Sequence, residues 1–151
     1  MKKAKKKKIA KYIALAIASI YLLLLIISGV FMASMMSVTY ESSFIGVTVE
    51  HYKIDFKANT TDRSYYNVDG TPRAYYSNEL TAGQEIKLKT ICIVSLMPLW
   101  RRNYNNPFIM DGDQWDVIRN YGKFKHETYG SNAYPLTYRW VLWAIADTMK
   151  K

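Results

Sequence analysis

Residues 13 to 36 read IALAIASIYLLLLIISGVFMASMM, and this stretch decides how the chain is organised. It holds no charged residue, and only Ser19, Ser28, Gly29 and Ser34 interrupt its apolar run. At a rise of about 1.5 Å per residue, roughly 20 apolar residues cross the hydrocarbon core of a bilayer. The stretch therefore predicts a single membrane-spanning helix, which we place at residues 12–37.

The charges that flank this stretch predict its orientation. Seven lysines precede Tyr12, whereas no Lys or Arg occurs between Tyr12 and Tyr52. Because cytoplasmic flanks carry an excess of Lys and Arg, we expect residues 1–11 in the cytoplasm and residues 38–151 outside the cell membrane. The lysine-rich arm is interpreted as a solvated segment that touches anionic headgroups of the lipid bilayer, rather than as a nucleic-acid-binding segment.

A cleaved secretory signal is the main alternative for the helix, since it also joins a basic segment to an apolar one. The apolar stretch here is longer than a typical signal core of about 7 to 15 residues. Residues 31–34 also lack a good small-x-small cleavage pattern. A retained single-pass signal anchor is therefore the favoured interpretation.

The remaining domain is nearly neutral. Seven of the 21 Lys and Arg residues lie before residue 12, which leaves 14 against 12 acidic residues from Val38 onward. The displayed domain therefore has no basic stripe for nucleic acid. Its length suits one small domain with one modest core, and Cys92 stands alone, so no intrachain disulfide is expected.

Alternation of apolar and polar side chains predicts a strand over residues 47–56. Tyr52, Ile54 and Phe56 fall on one side of this segment, and charged residues fall on the other. The preceding residues 41–44 are interpreted as a short tether to the membrane.

Two hairpins are predicted further along the chain. The first covers residues 64–77 and turns at Asp69-Gly70, a pair that tolerates positive φ. The second covers residues 115–128 and turns at Gly122. Each hairpin adds two antiparallel strands to the predicted sheet.

Residues 80–97 carry signals for both helix and strand. Thr81 followed by Gln84 has the form of a capping box, and the length up to Pro98 suits a helix. Residues 90–94 are rich in β-branched side chains, which favours a strand. We predict a helix here and expect Pro98 to end it.

The C-terminal segment predicts a helix from residue 136 to 149, with Pro135 at its start. A helix on one side of a small sheet needs only one apolar stripe, yet this one has two. The first holds Leu136, Trp140, Trp143 and Ala144. The second stripe, with two aromatic residues from outside the helix, forms the candidate interaction surface: Tyr138, Val141, Leu142, Ile145, Met149, Trp115 and Tyr134.

Three coverings of the second stripe stay open, namely residues 80–97, the membrane surface and another protein. Trp115 lies on an alternating strand and is expected to be buried against the C-terminal helix. With Tyr134 it is also expected near a shallow groove, beside the loop of residues 130–135. Within that loop, Gly130 is expected to take backbone angles closed to other residues.

A series of motifs fills residues 80–145. A Trp and a Tyr-x-Asn-Pro segment lead to Asp-Gly-x-Gln-Trp at residues 111–115, then to the second hairpin and to Gly-Ser-Asn-Ala-Tyr-Pro at residues 130–135. This order resembles a family of small bacterial membrane-anchored or lipid-anchored proteins of unknown function. The resemblance implies an α+β domain with helices on one face of an antiparallel sheet, and it implies no known activity.

No motif in the chain is specific for a reaction. Asp111, Asp113 and Asp116 lie close in sequence but lack the ligand order of an EF-hand. His51 and His126 fall in strand patterns, where a structural role is expected. We therefore predict no catalytic residue, metal site or cofactor, and a protein that is not an enzyme.

The predicted fold is α+β, with one N-terminal transmembrane helix, a small antiparallel sheet and about two helices on one face. The predicted function is a membrane-anchored extracytoplasmic interaction or binding module. Its expected partners are the lipid bilayer and another membrane or envelope protein. One alternative is an accessory or immunity-type protein acting beside an integral membrane partner. An envelope hydrolase is the other, and it requires a deep pocket with at least two convergent polar side chains.

Overall fold

The computed structural model describes residues 2–44, 47–106, 108 and 112–150. Within these residues the fold is α+β, which confirms the predicted class. A long helix, α1 (Lys2–Ser34), is followed by a sheet and by two shorter helices, α2 (Ala82–Val94) and α3 (Tyr138–Thr148). A short 3-10 turn, Met97–Leu99, follows α2.

The described part of the sheet has seven strands and is larger than the small sheet predicted. Their order across the sheet is β4-β3-β2-β1-β6-β7-β5, and all neighbours are antiparallel except β5 and β7. The strands are β1 (Ser37–Phe44), β2 (Val47–Asp55), β3 (Thr60–Tyr66), β4 (Pro72–Glu79), β5 (Asn103–Asn105), β6 (Asp113–Asn120) and β7 (Lys125–Ser131).

The central strand, β1, includes residues 41–44, so the prediction of a tether there is wrong. Tyr40 pairs with Tyr52 of β2 on one side and with Val117 of β6 on the other. Val38 and Tyr40 point into the core and are buried, whereas most other positions of the strand are polar. Two inward positions give too short an alternation to distinguish a strand from a polar linker.

Both predicted hairpins are confirmed. β3 pairs with β4, and β6 pairs with β7, each in antiparallel register. Gly70 and Gly122 lie in the two turns with φ of +80° and +81°. This left-handed region is open to glycine without a steric penalty, which explains why the chain reverses at these residues.

The predicted helix after residue 80 is confirmed as α2. Thr81 is its N-cap: its hydroxyl accepts from the Gln84 N–H at 3.3 Å, and the Gln84 side chain accepts from the Thr81 N–H at 3.0 Å. This reciprocal pair satisfies two backbone donors at the helix start. The helix ends at Val94, four residues before Pro98, so the prediction that Pro98 ends it is wrong. Leu96 turns the chain after the helix, with φ of +54°.

The core lies between one face of the sheet and the helices, as the predicted packing on one face requires. The sheet contributes large inward side chains, and α2 and α3 contribute one buried stripe each. Its best-buried members include Val38, Ile54, Trp115, Val117, Leu88, Cys92, Val141 and Ile145. α3 starts at Tyr138, two residues later than predicted. A single turn precedes it, in which the Tyr138 N–H donates to the Pro135 carbonyl.

The outer end of α1 is part of this core. Ser28 and Met32 are at most 1% exposed, and Met35, just past the helix, is 3% exposed. The Ser28 hydroxyl donates to the Ile93 carbonyl of α2 at 3.3 Å. Core contacts therefore cross the predicted boundary between residues 12–37 and 38–151. Among the described residues, one helix, Lys7–Ser34, is long and apolar enough to span a membrane.

Candidate functional site

A groove of about 420 Å³ opens where the ends of β1 and β6 meet the start of α3. We call it the aromatic groove, because tyrosines and a tryptophan form much of its wall. It is lined by Tyr40, Ser42, Asp113, Gln114, Trp115, Tyr134, Pro135, Leu136, Tyr138, Arg139 and Leu142.

Trp115 forms the floor of the groove. The alternation of β6 turns its side chain inward, where it is 1% exposed. Its indole Nε1 donates to the Ala133 carbonyl at 3.1 Å, so the polar edge of the ring is satisfied. A satisfied N–H is what allows a tryptophan to be fully buried.

Gly130 makes room for this indole ring. Gly130 pairs with Trp115 across β6 and β7, and a Cβ at Gly130 would lie 2.6 Å from atoms of the Trp115 ring. Gly130 does not have a positive φ, so the prediction that it takes backbone angles closed to other residues is wrong. The position demands glycine for space, and the left-handed residue of this loop is Asn132, with φ of +51°.

Two tyrosines complete the aromatic wall. The rings of Trp115 and Tyr138 lie 4.7 Å apart, as do those of Tyr134 and Tyr138. Tyr134 also stacks on Trp115 with an interplanar angle of 17°. Tyr138 is buried and Tyr134 is 44% exposed, so the wall runs from the core to the surface.

The hydroxyls beneath the groove are neutral over the physiological pH range. Tyr40 and Tyr138 share a hydrogen bond of 3.0 Å between their Oη atoms. Burial raises the pKa of both phenols, and it also raises the pKa of Tyr134. Neutral phenols both donate and accept, so the partly exposed Tyr134 can exchange hydrogen bonds with a polar ligand.

Charged and exposed residues form the rim. Leu136 is fully exposed, and Asp113, Gln114 and Arg139 are exposed beside it. The groove thus combines a flat aromatic wall with charges of both signs. It has the features of a recognition surface for a ligand with both apolar and hydrogen-bonding parts.

The candidate interaction surface divides into two groups in the structure. Trp115, Tyr134, Tyr138 and Leu142 all line the aromatic groove. The expected burial of Trp115 against the C-terminal helix is confirmed by its contact with Tyr138.

The other three predicted surface residues, Val141, Ile145 and Met149, lie in the interior and are no more than 8% exposed. They share the core with Leu88 and Cys92 of α2, so the second stripe of α3 is covered from within. These three residues therefore belong to the core and not to an exposed surface, which corrects the prediction. Amphipathicity finds two stripes on α3, but only the packing of α2 shows which stripe is inside.

Sequence reasoning missed Tyr40, Ser42 and Arg139 as groove residues. Tyr40 and Ser42 belong to β1, which was not predicted as a strand. Arg139 is an exposed residue of α3 and belongs to neither of its two apolar stripes. No local signal links these three positions, because β1 and α3 meet only through the fold.

A buried arginine lies at the other end of the sheet. Arg119 has no exposed surface, and its guanidinium donates to the Met97 carbonyl and the Thr128 hydroxyl and contacts Nδ1 of His126. Burial lowers the pKa of Arg119, and burial together with the nearby cation lowers that of His126. The His126 imidazole is therefore neutral at pH 7 and accepts from the guanidinium, which ties the 3-10 turn to β7.

The remaining titratable residues singled out from the sequence are spread over the sheet. His51 lies in β2, with its Nε2 3.6 Å from Oε1 of Glu41. Asp113 and Asp116 lie in β6, and Asp111 lies outside the described residues. Among the described residues, no group of three or more His, Cys, Asp or Glu side chains is placed to hold a metal ion.

The chain matches no model of a known protein family, and no curated protein matches it at a significant level. The resemblance of residues 80–145 to small bacterial anchored proteins therefore stays a prediction.

Proposed function

We propose that this chain is a membrane-anchored interaction module, held by α1 on the outer side of a cell membrane. The observation that carries the proposal is the continuity of α1 with the folded domain. Ser28 and Met32 belong to α1 and to the core at once, and α1 ends at Ser34, close before the central strand begins at Ser37. No flexible linker separates anchor and domain, so the domain works beside the bilayer.

The orientation follows from the lysines. Seven of them precede Tyr12, and the next Lys or Arg of the chain comes only after Tyr52. This asymmetry favours a cytoplasmic N-terminus and an external domain. A reporter that is active only outside the cytosol, fused after Lys151, is expected to be active. Activity of a cytosolic reporter at the same position would refute the orientation.

The aromatic groove is the surface that we assign to partner recognition. Tyrosine, tryptophan and arginine are enriched at the energetic centres of protein interfaces, and the groove presents all three. Its aromatic wall suits an apolar side chain, and its phenols and charged rim suit backbone and polar groups. The partner is thus a segment of another membrane or envelope protein.

Site-specific photocrosslinking in intact cells tests this assignment. Leu136 on the groove rim and Val68 beyond β3 are both exposed, so each position accepts a benzophenone side chain and Val68 serves as the matched control. A discrete crosslinked product is expected at position 136 only. Arg139→Glu is expected to reduce the yield of this product, because the substitution reverses a charge on the groove rim. Equal products at both positions, or none, would contradict the assignment.

An anchor exchange distinguishes this module from an accessory protein whose helix does part of the binding. The exchange must stop before Tyr21, because Tyr21 donates to the Val94 carbonyl at 3.0 Å and the later residues enter the core. Residues 12–20 are therefore replaced with an unrelated apolar sequence. Retained crosslinking at position 136 supports the module, and its loss supports the accessory role.

A further inference from the structure

α1 contacts the folded domain well before the helix ends. Tyr21 bonds to the Val94 carbonyl and Ser28 to the Ile93 carbonyl, at 3.0 and 3.3 Å. Met32 continues the same stripe one turn above Ser28 and is 1% exposed. The C-terminal end of α2 therefore lies against the outer half of α1.

The length of α1 places these contacts below the outer boundary of the hydrocarbon core. Lys11 is the last lysine before the apolar stretch, and Phe31 follows it by twenty residues. Twenty residues rise about 30 Å, the thickness of the core, so the outer boundary falls near Phe31. Ser28 then lies about 5 Å below that boundary, and the backbone of Tyr21 about 15 Å below it.

The opposite placement, with the whole domain in water, is excluded by the lysine arm. It would put the outer boundary at Tyr21 and the inner boundary some twenty residues earlier, near the N-terminus. The seven lysines before Tyr12 would then lie in hydrocarbon, where charged side chains are costly. A tilt of α1 makes the rise per residue smaller and moves the outer boundary still further along the helix.

The β6–β7 turn supports a boundary near Phe31. The rings of Phe31 and Tyr121 pack edge to face at 5.9 Å, which brings this turn beside the outer end of α1. Lys123 and Lys125 are exposed on the turn, with the exposed Phe124 between them. Two cations around an apolar side chain suit the headgroup level of a bilayer.

An exposed apolar face begins where α2 touches α1. A cavity of about 310 Å³ on this face is lined by side chains that are apolar or aromatic except for Thr90: Thr90, Ile91, Val94, Trp140 and Trp143. Trp140 and Trp143 are 60% and 53% exposed, and Val94 is 46% exposed. We call these five residues the tryptophan face.

An ion pair lies at one border of the tryptophan face. The Lys87 ammonium lies 4.6 Å from the centre of the Trp143 ring and pairs with Asp147 at 2.5 Å. Lys87 precedes Val94 by seven residues, so the uncharged part of the α2 face is about 10 Å long. Tryptophan and lysine together are typical of the membrane–water interface.

We propose that the tryptophan face is immersed in the outer leaflet and contacts the lipid acyl chains around α1. The inference rests on the proposed function, since it requires α1 to span the membrane. Lipid is the occupant because the face is continuous with the lipid-exposed side of α1: Val94 bonds to Tyr21 in the apolar stretch. The domain is thus partly embedded beside its own anchor, which fixes the direction in which the aromatic groove faces.

Quenching of tryptophan fluorescence by brominated lipids tests this contact. The full chain is placed in lipid nanodiscs whose acyl chains carry bromine either near the headgroup or near the chain end. Bromine near the headgroup is expected to remove up to about half of the emission, because two of the four tryptophans lie on the face. Bromine near the chain end is also expected to quench, because Val94 of the same face bonds to Tyr21 about 15 Å below the boundary.

Variants assign the quenching to the face. Trp140→Phe with Trp143→Phe is expected to abolish the lipid-dependent quenching, because Trp100 and Trp115 are buried within the domain. A matched control adds Tyr75→Trp to this double variant, since Tyr75 is 65% exposed on the edge strand β4. The new tryptophan is expected to respond to aqueous acrylamide and not to brominated lipid.

Two outcomes overturn the inference. Quenching of the parent protein by acrylamide but not by brominated lipid would place the face in water. Resistance to both quenchers, with a dimer mass in the nanodisc, would show that a second copy covers it. Failure of the proposed membrane anchor is a separate result, because the chain would then not incorporate into nanodiscs and would be released from vesicles by alkaline carbonate.

Discussion

Replacing Trp115 with alanine removes the floor of the aromatic groove. The side chain is 1% exposed and packs against the rings of Tyr134 and Tyr138. Truncation of a buried tryptophan costs about 3 to 5 kcal/mol. The substitution also leaves the Ala133 carbonyl without its donor, at about 1 kcal/mol or more. A domain with about 5 to 15 kcal/mol of stability retains little after this loss.

A second substitution tests the packing that explains this cost. Gly130→Ala would place a Cβ 2.6 Å from the Trp115 ring, and overpacking of this kind costs about 1 to 3 kcal/mol. In the Trp115→Ala background that ring is absent, so Gly130→Ala is expected to cost almost nothing. The double-mutant cycle should therefore give a coupling free energy of about 1 to 3 kcal/mol.

The assay is urea unfolding of the full chain in detergent micelles, followed by near-ultraviolet circular dichroism. Leu136→Ala is the control, because Leu136 is fully exposed and its loss should change the free energy of unfolding by no more than about 0.5 kcal/mol. A Trp115→Ala protein as stable as this control would refute the burial of Trp115. Additive costs in the cycle would refute its close contact with Gly130.

Three further substitutions or treatments probe other parts of the chain. Met32→Ala should lower the free energy of unfolding by about 2 to 5 kcal/mol in the same assay, because Met32 is 1% exposed, whereas Val30→Ala should not, because Val30 is 67% exposed. Burial and the carboxylates of β7 and β1 raise the pKa of Asp116, so its contribution to stability is present at low pH and is lost as pH rises through the folded-state pKa. Asp116→Asn should therefore be about 0.2 to 1 kcal/mol more stable than the parent at pH 7, and equal stability would count against the cross-strand repulsion. Cys92 has no exposed surface and burial raises its pKa to about 12, so thiol reagents should label it only after denaturation, whereas rapid labelling of the native chain would contradict that burial.

The sequence alone determines the features that depend on neighbouring residues. An uncharged apolar run specifies α1, and the capping pair of Thr81 and Gln84 specifies the start of α2. The hairpin turns at Gly70 and Gly122 follow from the conformational freedom of glycine. These features could be predicted because each one arises from local backbone and side-chain chemistry.

Part of the aromatic groove was also predictable. Alternation along β6 places Trp115 inside, and the loop before α3 brings Tyr134 near it. Tyr40 could not be assigned to the same site, since it lies far away in sequence. Its hydrogen bond to Tyr138 exists only because β1 occupies the centre of the sheet.

Tertiary structure decided two features for which the local sequence patterns allow more than one interpretation. The polar residues of β1 give no clear strand pattern in the sequence. It is a central strand because it pairs with β2 on one side and with β6 on the other. α3 carries two apolar stripes, and the packing of α2 buries Val141 and Ile145 while it leaves Trp140 and Trp143 outside. The physical reason is that burial is a property of two surfaces in contact. A sequence describes each surface separately, and the fold determines which surfaces meet.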